Sequence, residues 1–520
     1  MTGSAIDGSI LIGGRDVRTA ATFRAIAAAS GEPIGPPVSE ADQDHVDAAC
    51  ALANSASAAF AALAPSERAA FLEAAGEAIL AIGDDLIVTA MAESGLPRAR
   101  LEGERVRTVN QLGMFAAEVR RGRWLDAVID PALPDRTPPR PDIRRMNVPL
   151  GPVAVFGASN FPLAFSVAGG DTAAAFAAGC PVVFKGHPAH PGTGERVARA
   201  LRGAVAAKGL PEGVFSYLPG RGNALGAALV TDPRIKAVGF TGSRGGGLAL
   251  VALATARPEP IPVYAEMSSI NPVVVLPRAL AARGAALGTA FVGSLTLGAG
   301  QFCTNPGLVL VIGDDGLDAF LGAAAAALQD APAATMLTPA IRDAYLSGVA
   351  RLEASAATRA ASGAPADENC VPAALFTTDA DHFLADAALG HEVFGASSLV
   401  VRCASRSQLE RVIGALEGQL TATIHHEPGD AADAAAILPL LAARAGRLLA
   451  NGWPTGVEVA PAMVHGGPFP ATSDGRSSSV GTLAMRRFLR PVAYQDFDQA
   501  LLPAPLRDEN PWSVPQIRGE

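Results

Sequence analysis

The sequence has few cysteines, no excess of basic residues and no apolar N-terminal segment, and each absence excludes a class of protein. The five cysteines are odd in number and irregularly spaced: Cys50, Cys180, Cys303, Cys370 and Cys403. This pattern predicts neither a disulfide framework nor a zinc-binding motif. It favours a reducing compartment, and we expect a cytoplasmic protein that holds no metal.

The chain is acidic, with 41 basic and 50 acidic residues and a formal net charge of -9. A surface that binds nucleic acid or an anionic membrane would need a basic face, so we expect neither partner. Asp7 and Arg15 interrupt an N-terminus that lacks the basic and apolar regions of a signal peptide. A local basic pocket for a phosphate or a carboxylate remains compatible with this charge.

Two uncharged runs, 151–170 and 284–313, have the length of a membrane span. Glycine, proline and asparagine interrupt both runs at positions where a spanning helix would lose backbone hydrogen bonds. Buried parallel strands produce the same continuous apolar pattern. We therefore predict that both runs belong to the core of a globular protein.

From residue 151 onward, short apolar strands alternate with helical segments. Strands are predicted at 152–156, 181–185, 214–218, 237–240 and 262–266, and this alternation indicates an α/β fold with a parallel sheet covered on both faces. Ligands bind outside the carboxyl ends of such strands. Asn160, Lys185, Gly242 and Glu266 lie at or just past those ends.

At 520 residues, the chain has the length of roughly three domain-sized units. A second α/β unit is predicted after residue 267, with strands at 272–276, 308–312, 398–401 and 421–425. Five prolines between residues 131 and 141 predict a linker. The strands predicted on either side of the main body, in 137–148 and 484–500, would pair in a small protruding sheet. Its edges would be available to a second subunit, so we expect a homodimer or a homotetramer.

Cys303 lies in a polar turn, 300–307, that glycines flank. A thiol is suited to attack a carbonyl near neutral pH, because at an unperturbed pKa of about 8.5 a few per cent is already thiolate. The glycines would allow a close approach of the substrate, and Pro306 ends any preceding helix. The alternative role is that of a small buried apolar residue, which is the commoner one for an isolated cysteine.

Five segments in order along nearly the whole chain resemble the aldehyde dehydrogenase family. They are Gly157-Ala158-Ser159-Asn160-Phe161-Pro162, Phe240-Thr241-Gly242-Ser243 followed by Gly247, Glu266, Gly300-Gln301-Phe302-Cys303, and Glu392-Val393-Phe394-Gly395. The resemblance implies an NAD(P)-binding domain in 1–136 and 149–267 and a catalytic domain in 268–483. The small oligomerisation sheet would come from 137–148 and 484–500.

Within this family, four further segments resemble the bacterial 2,5-dioxovalerate dehydrogenases, also called α-ketoglutaric semialdehyde dehydrogenases. These segments are 265–272, 185–191, 451–456 and 465–473. Ser268 and Ser269 stand where most aldehyde dehydrogenases have two glycines, which separates this branch from the common one. The resemblance implies oxidation of 2,5-dioxopentanoate to 2-oxoglutarate. A medium- or long-chain fatty aldehyde dehydrogenase is the alternative enzyme, and a non-catalytic scaffold with the same fold is the alternative of another class.

The resemblance also implies roles for three residues. Cys303 would form a thiohemiacetal, and its backbone N–H and the Asn160 amide would stabilise the oxyanion, one such donor being worth roughly 3 to 4 kcal/mol of barrier. Glu266 would act as the base for the thiol, for the water that cleaves the thioester, or for both. At the end of an apolar strand, Glu266 is expected to have a raised pKa. A glutamate here favours hydrolysis over transfer to coenzyme A.

The expected cofactor is NADP, with NAD as the alternative. Lys185 and the turn at Gly242 and Ser243 would bind it, and the glycines up to Gly247 would let the pyrophosphate approach a helix N-terminus. NAD-preferring relatives usually have a glutamate three residues after the lysine to bind the ribose, and this chain has Pro188. Lys185 and His187 would then supply charge or donors to a 2'-phosphate.

The remaining predicted contacts concern the nicotinamide ribose and the aldehyde. Glu392 and Phe394, in the Glu-x-Phe-Gly motif, would contact the ribose. Phe161 and Phe469 would line the substrate tunnel, and Arg476 is the candidate for a substrate carboxylate. Arg476 would alternatively pair with Asp474 or with another subunit.

Overall fold

The computed structural model describes residues 6–365 and 369–519. The strands are β1 (Ile10–Ile12), β2 (Arg15–Val17), β3 (Thr22–Ile26), β4 (Pro33–Ser39), β5 (Ala127–Asp130), β6 (Ile143–Pro149), β7 (Val153–Phe156), β8 (Val182–Gly186), β9 (Phe215–Pro219), β10 (Ala237–Thr241), β11 (Val263–Glu266), β12 (Val273–Val275), β13 (Leu308–Ile312), β14 (Ala334–Thr335), β15 (Thr358–Ser362), β16 (Cys370–Val371), β17 (Ala374–Asp379), β18 (Ser397–Cys403), β19 (Gln419–His425), β20 (Ala445–Ala450), β21 (Leu489–Gln495) and β22 (Gln516–Arg518). The helices are α1 (Gln43–Ala61), α2 (Pro65–Ala81), α3 (Asp84–Ser94), α4 (Arg98–Arg121), α5 (Gly170–Ala178), α6 (Pro191–Ala207), α7 (Asn223–Thr231), α8 (Arg244–Thr255), α9 (Pro277–Thr296), α10 (Leu317–Asp330), α11 (Pro339–Glu353), α12 (Ala380–Ala385), α13 (Arg406–Ala415) and α14 (Ala431–Ala442).

The first large sheet has seven strands in the order β11-β10-β7-β8-β9-β1-β2. The strands from β7 to β11 run parallel, as predicted, and β1 and β2 extend the sheet antiparallel. In β8, Val182 and Phe184 pack into one apolar cluster and Val183 into another. Burial on both faces explains the continuous apolar strands. The strand order reverses beside β7, and ligands bind at the carboxyl ends around such a reversal.

The second large sheet also has seven strands, in the order β15-β17-β18-β13-β12-β19-β20. All but β15 run parallel to their neighbours. The four predicted strands of this unit are present as β12, β13, β18 and β19. The sequence did not indicate β20, because as an edge strand it is only partly buried and lacks a continuous apolar run.

A third sheet has four strands in the order β21-β6-β5-β22. The predicted pairing of β6 with β21 is confirmed, since Ile143 is opposite Gln495 and Pro149 is opposite Leu489. The sheet is larger than predicted, because β5 and β22 extend it. Residues Thr482–Phe488 form a 3-10 helix instead of the first part of a strand, since Ala484, Met485 and Phe488 are buried. The domain boundaries stay predictions.

The segment after β7 forms a turn-rich loop, and α5 begins only at Gly170. The backbone N–H groups of Leu163 and Ala164 each donate to Oε1 of Glu104 on α4 over 2.9 Å. This carboxylate stabilises a turn-rich loop, and the loop brings Asn160 and Phe161 to the end of the sheet.

One helical segment among the described residues, Pro277–Gly300, has the length and apolar composition of a membrane span. It includes α9, whose Phe291 and Leu295 are fully buried. Both side chains pack in a cluster with Val273 and Val309 of the second large sheet. The segment is thus placed as a core helix, as its interrupted apolar pattern predicted.

Candidate active site

Cys303 lies in a tight turn between α9 and β13. The preceding residues Gly298, Ala299 and Gly300 have φ angles of 57°, 59° and 68°. A Cβ on Gly300 would lie 2.3 Å from the backbone nitrogen of Ala396. Glycine is therefore required at position 300 because the backbone at Ala396 comes close to it. The sequence had suggested a different reason, the approach of a substrate.

Three side chains from distant parts of the chain meet at this turn. Cys303 Sγ lies 3.3 Å from His465 Nε2, which lies 2.9 Å from Oε1 of Glu266, the last residue of β11. His465 and Glu266 are buried, while Cys303 is half-buried. The nucleophile and the base predicted from the sequence are thus brought together, and a histidine is added to them.

Glu266 accepts hydrogen bonds on both carboxylate oxygens. Ser479 Oγ donates to Oε2 over 2.7 Å. His465 Nδ1 has no partner among the described residues, so the tautomer that carries its hydrogen on Nε2 and donates to Glu266 fits best. Burial alone would raise the pKa of Glu266, but His465 and the hydrogen bonds outweigh burial and lower this pKa. The predicted rise in the pKa of Glu266 was therefore wrong. An apolar strand that ends in a glutamate does not show which side chains will bond to the carboxylate.

The thiol of Cys303 has the opposite shift. Burial and the neighbouring negative charge of Glu266 raise its pKa well above the ordinary value, and Arg107 on α4 only partly opposes them. The resting side chain is therefore a protonated thiol. It needs a base to become a nucleophile, and Glu266 is the carboxylate to which it can donate.

Two donors lie beside the reacting sulfur. Asn160 Nδ2 donates to the carbonyl of Gln301 over 2.9 Å, which places the amide next to the turn and leaves its second hydrogen without an acceptor among the described residues. The backbone N–H of Cys303 has no acceptor there either. Asn271 Nδ2 donates to the Cys303 carbonyl over 2.9 Å and holds the turn in place. The Asn160 amide and the Cys303 N–H can therefore stabilise an oxyanion on a carbon atom that is bonded to Cys303 Sγ.

Aromatic rings form the wall of the site. Phe161 packs edge-on against Phe302 and Phe165, with ring centroids 5.2 and 5.1 Å apart. Phe161 thus belongs to this wall, and its contact with the substrate stays a prediction. Phe469, by contrast, is 59% exposed and does not belong to this cluster, and its contact with the substrate stays a prediction.

Arg476 is also outside the site. Its side chain is 93% exposed, and its Nε lies 3.2 Å from Asp474 Oδ1. The prediction of a substrate carboxylate ligand was wrong here, and the alternative pairing with Asp474 is the one found. The reason is local, because Asp474 also accepts the backbone N–H of Arg476 and thereby turns the loop outward.

Lys185 and His187 lie at the carboxyl end of β8. Among the described residues, the Lys185 ammonium has no hydrogen-bond or ion-pair partner, and burial lowers its pKa to about 8. Burial and the nearby His190 and Lys185 hold the pKa of His187 well below its ordinary value. Its Nδ1 accepts the N–H of Ala189 over 3.1 Å. His187 is thus neutral, and of the charge or donor that the sequence suggested it offers only a donor. Lys185, which has no partner among the described residues, fits an anionic or hydroxylated ligand.

The turn after β10 leads directly into α8. Ser243 is the N-cap of this helix, and its Oγ accepts the N–H of Gly246 over 3.2 Å. Gly242 and Ser243 lie at this accessible helix start. Gly247 is buried, and a Cβ there would lie 2.8 Å from Met267 Cγ. Packing on the chain after β11 explains this glycine, and its contact with a cofactor stays a prediction.

An open pocket lies beside the cysteine turn. Its lining includes Ser269, Phe302, Glu392 and Phe394. Burial raises the pKa of Glu392 to about 8, so its carboxyl group carries a proton near neutrality. A protonated carboxyl can both donate to and accept from ribose hydroxyls, and the predicted contacts of Glu392 and Phe394 fit this cavity.

Sequence reasoning missed His465, Ser479 and Arg107 as members of the site. His465 was visible in the segment 465–473, but none of the histidines had a spacing typical of metal ligands.

Cys303, Glu266 and His465 place three potential metal-ligand atoms within 4.8 Å of one another. Hydrogen bonding among these groups accounts for their proximity, and the expectation of no metal stays a prediction.

Comparisons with known proteins agree with this geometry. The profile of the aldehyde dehydrogenase family matches residues 16–476. Alpha-ketoglutaric semialdehyde dehydrogenase 2 of Azospirillum brasilense is 57% identical over 99% of this chain and 99% of its own length. The alpha-ketoglutaric semialdehyde dehydrogenase of Acinetobacter baylyi is 45% identical over 97% and 96%. The fold is similar to that of 1-pyrroline-5-carboxylate dehydrogenase from Thermus with bound NAD, with a TM-score of 0.82, 19% identity and coverage of 95% and 93%. The chain belongs to the aldehyde dehydrogenase family.

Proposed function

We propose that the protein oxidises 2,5-dioxopentanoate, which is α-ketoglutaric semialdehyde, to 2-oxoglutarate with NADP as the preferred cofactor. The observation that carries the proposal is the contact of Cys303 Sγ with His465 Nε2, which in turn bonds to Glu266. The names of the two relatives from Azospirillum brasilense and Acinetobacter baylyi support the choice of substrate. Both relatives match nearly the full length of the chain.

The first step is the transfer of the thiol proton of Cys303 to Glu266. Before the transfer, the Nε2–H of His465 donates to the carboxylate over 2.9 Å. After it, Glu266 is neutral and the negative charge lies on sulfur, 3.3 Å from the same nitrogen. The imidazole N–H can then donate to the thiolate, so the site stabilises the charge on both sides of the transfer.

The thiolate attacks the aldehyde carbon and forms a thiohemiacetal. The Asn160 amide and the Cys303 N–H stabilise its oxyanion, because both donors are in place before the charge develops. The nicotinamide ring supplies a hydride acceptor when the cofactor is bound. A thioester on Cys303 remains, and Glu266 acts as the general base for the water that cleaves it.

Residues of the first large sheet would hold the cofactor. The start of α8 at Ser243 offers backbone N–H groups to the pyrophosphate. Lys185 would bind the adenosine ribose or its 2'-phosphate, and His187 would add a neutral donor. Pro188 stands where NAD-preferring relatives usually have a glutamate, and this supports the preference for NADP over NAD.

We also propose a cytoplasmic homodimer or homotetramer. The five cysteines are free, as expected in a reducing compartment. The edge strand β22 exposes 62% of Ile517, and Phe497 and Leu501 after β21 are 49% and 69% exposed. Apolar side chains of this kind favour burial against a second subunit. Light scattering on the purified protein measures the number of subunits.

The test of the proposed function is an initial-rate comparison of 2,5-dioxopentanoate with hexanal, using NADP and NAD and with Cys303→Ala as the blank. We expect the higher kcat/KM for the oxo acid. A higher value for hexanal would favour the fatty aldehyde dehydrogenase, for which the ring wall of Phe161, Phe165 and Phe302 is also suited. Absence of reduced cofactor with every aldehyde would favour the scaffold.

A further inference from the structure

Three side chains of α4 point toward the ring wall. Arg100, Glu104 and Arg107 are spaced by four and three residues and therefore share one face of the helix. Arg100 pairs with Glu104. Arg107 Cζ lies 5.6 Å from the ring centroid of Phe161 and 5.0 Å from that of Phe165. Both arginines thus border the apolar cluster next to Cys303, but only one of them has a carboxylate partner.

The guanidinium of Arg107 has unused donors. Its Nε and Nη2 are buried and have no hydrogen-bond partner among the described residues, and no ion pair with Arg107 occurs there. A buried charged donor without a partner costs free energy, so a residue that serves only the fold is not expected at this place. The ring centroid of Phe165, over which this guanidinium lies, is 6.0 Å from that of His465, so Arg107 is close to the reacting groups.

The other cations of this region are already engaged. Arg447 also interacts electrostatically with Cys303, but its Nη1 and Nη2 donate to the carbonyls of Gly456 and Pro454 over 2.8 and 2.6 Å. Arg100 is bound to Glu104, and Arg476 is exposed. Within the part of the chain that the structure describes, Arg107 is therefore the arginine that combines proximity to the thiol with unpaired guanidinium donors.

We propose that Arg107 binds the carboxylate at the end of the substrate opposite the aldehyde. The inference rests on the proposed function, because 2,5-dioxopentanoate carries such a carboxylate and an alkyl aldehyde does not. A guanidinium fork accepts a carboxylate through two parallel hydrogen bonds. The Phe161 and Phe165 rings hold the guanidinium, while Phe302 and Phe161 cover the methylene groups between the two ends. Arg107 thereby selects oxo acid aldehydes over alkyl aldehydes.

The test compares Arg107→Met with the wild type on 2,5-dioxopentanoate and on pentanal, which has the same number of carbons but no carboxylate. We expect kcat/KM for the oxo acid to fall by at least about 30-fold, as for truncation of a buried charge pair. For pentanal it should fall much less, because only the effect of the Arg107 charge on the Cys303 thiol is lost. Arg476→Met is the matched control and should change neither value. Equal losses for both substrates, or no loss for the oxo acid, would overturn the proposal.

A second readout is independent of the preferred substrate. With pentanal as the substrate, 2-oxoglutarate should inhibit the wild type competitively and should inhibit Arg107→Met much more weakly. Equal inhibition of both proteins would refute carboxylate binding by Arg107. If the wild type itself prefers pentanal, the proposed function fails, while this inhibition still decides the role of Arg107.

Arg107→Lys keeps the proposal testable if the methionine variant does not fold. Lysine retains the charge but loses the paired donors. We expect kcat/KM to fall more for the oxo acid than for pentanal, with a thermal unfolding midpoint close to that of the wild type. An equal fall for both aldehydes would show a structural role for the side chain.

Discussion

His465 Nε2 lies 2.9 Å from Glu266 Oε1, although 199 residues separate them in the chain. The contact gives the strand-end carboxylate a donor within the protein and lowers its pKa in spite of burial. Because the same nitrogen contacts Cys303 Sγ, the imidazole couples the nucleophile and the base. The acid–base behaviour of the enzyme therefore depends on a residue outside the predicted catalytic set.

Replacing Glu266 by glutamine should separate two effects of this carboxylate. Turnover should fall by about 10²- to 10⁴-fold, the usual contribution of a general base. Alkylation of Cys303 by iodoacetamide near neutral pH should become faster, since removal of the negative charge lowers the pKa of the thiol. Initial rates and mass spectrometry of the labelled peptide measure the two effects.

Glu77→Gln, on the exposed face of α2, is the matched control and should leave both quantities unchanged. Slower alkylation in Glu266→Gln would show that the carboxylate activates the resting thiol more than its charge suppresses it.

Replacing His465 by asparagine should move the acidic limb of the kcat/KM profile to higher pH. Glu266 must be ionised to act as a base, and activity is lost as the pH falls through its pKa. In the wild type this pKa is lowered. Without the imidazole, less remains to offset the effect of burial, so the pKa of Glu266 rises and activity is lost at a higher pH. His382→Asn, at an exposed site, is the control and should leave the acidic limb of the profile unchanged. If the acidic limb of His465→Asn were also unchanged, the coupling between His465 and Glu266 would be contradicted.

Lys185 should make cofactor use dependent on pH. Burial lowers its pKa to about 8, so the free enzyme loses this positive charge as the pH rises through that value. We expect the KM for NADP to rise above pH 8 in the wild type. Lys185→Met should have a high KM at every pH and no such dependence, whereas Lys208→Met, on the surface, should behave as the wild type. A wild-type KM that does not change with pH would argue against a charge contact.

Pro188→Glu should shift the enzyme toward NAD. A carboxylate at this position would repel the 2'-phosphate of NADP and accept hydrogen bonds from the ribose of NAD. The ratio of kcat/KM for NADP to that for NAD should fall by at least about tenfold, as expected for a like-charge contact. Pro188→Gln is the uncharged control of equal size. An equal ratio in the two variants would show that charge at position 188 does not determine cofactor choice.

Asn160→Ala should lower kcat by about 10²- to 10³-fold, the usual effect of losing one oxyanion donor. The KM should change little, because the donor acts on charge that develops after binding. Steady-state kinetics on 2,5-dioxopentanoate measure both parameters, with Asn110→Ala on the exposed face of α4 as the control. A large rise in KM with unchanged kcat would show that Asn160 serves binding.

The positions of Glu266, Lys185 and Asn160 could be predicted because they follow apolar strands. A parallel sheet buried on both faces leaves a continuous apolar pattern, and its carboxyl ends gather at one edge. Thiol chemistry and a turn rich in glycine made Cys303 a candidate, and the resemblance to the aldehyde dehydrogenase family implied its role. The two α/β units follow from the same local periodicity, and the pairing of β6 with β21 was predicted as well, whereas the order of the strands in each sheet was not.

The tertiary structure alone decided the environment of these residues. The partners of Glu266, His465 and Ser479, come from a loop 199 and 213 residues away, and no local pattern indicates which side chains packing will bring together. The same holds for Arg107 and Arg476. Both are charged residues in polar contexts, but packing buries the first without a partner beside the thiol, while Asp474 holds the second in solvent. Local sequence determines the strands and their ends, whereas contacts between distant segments determine pKa values and the partners of each charge.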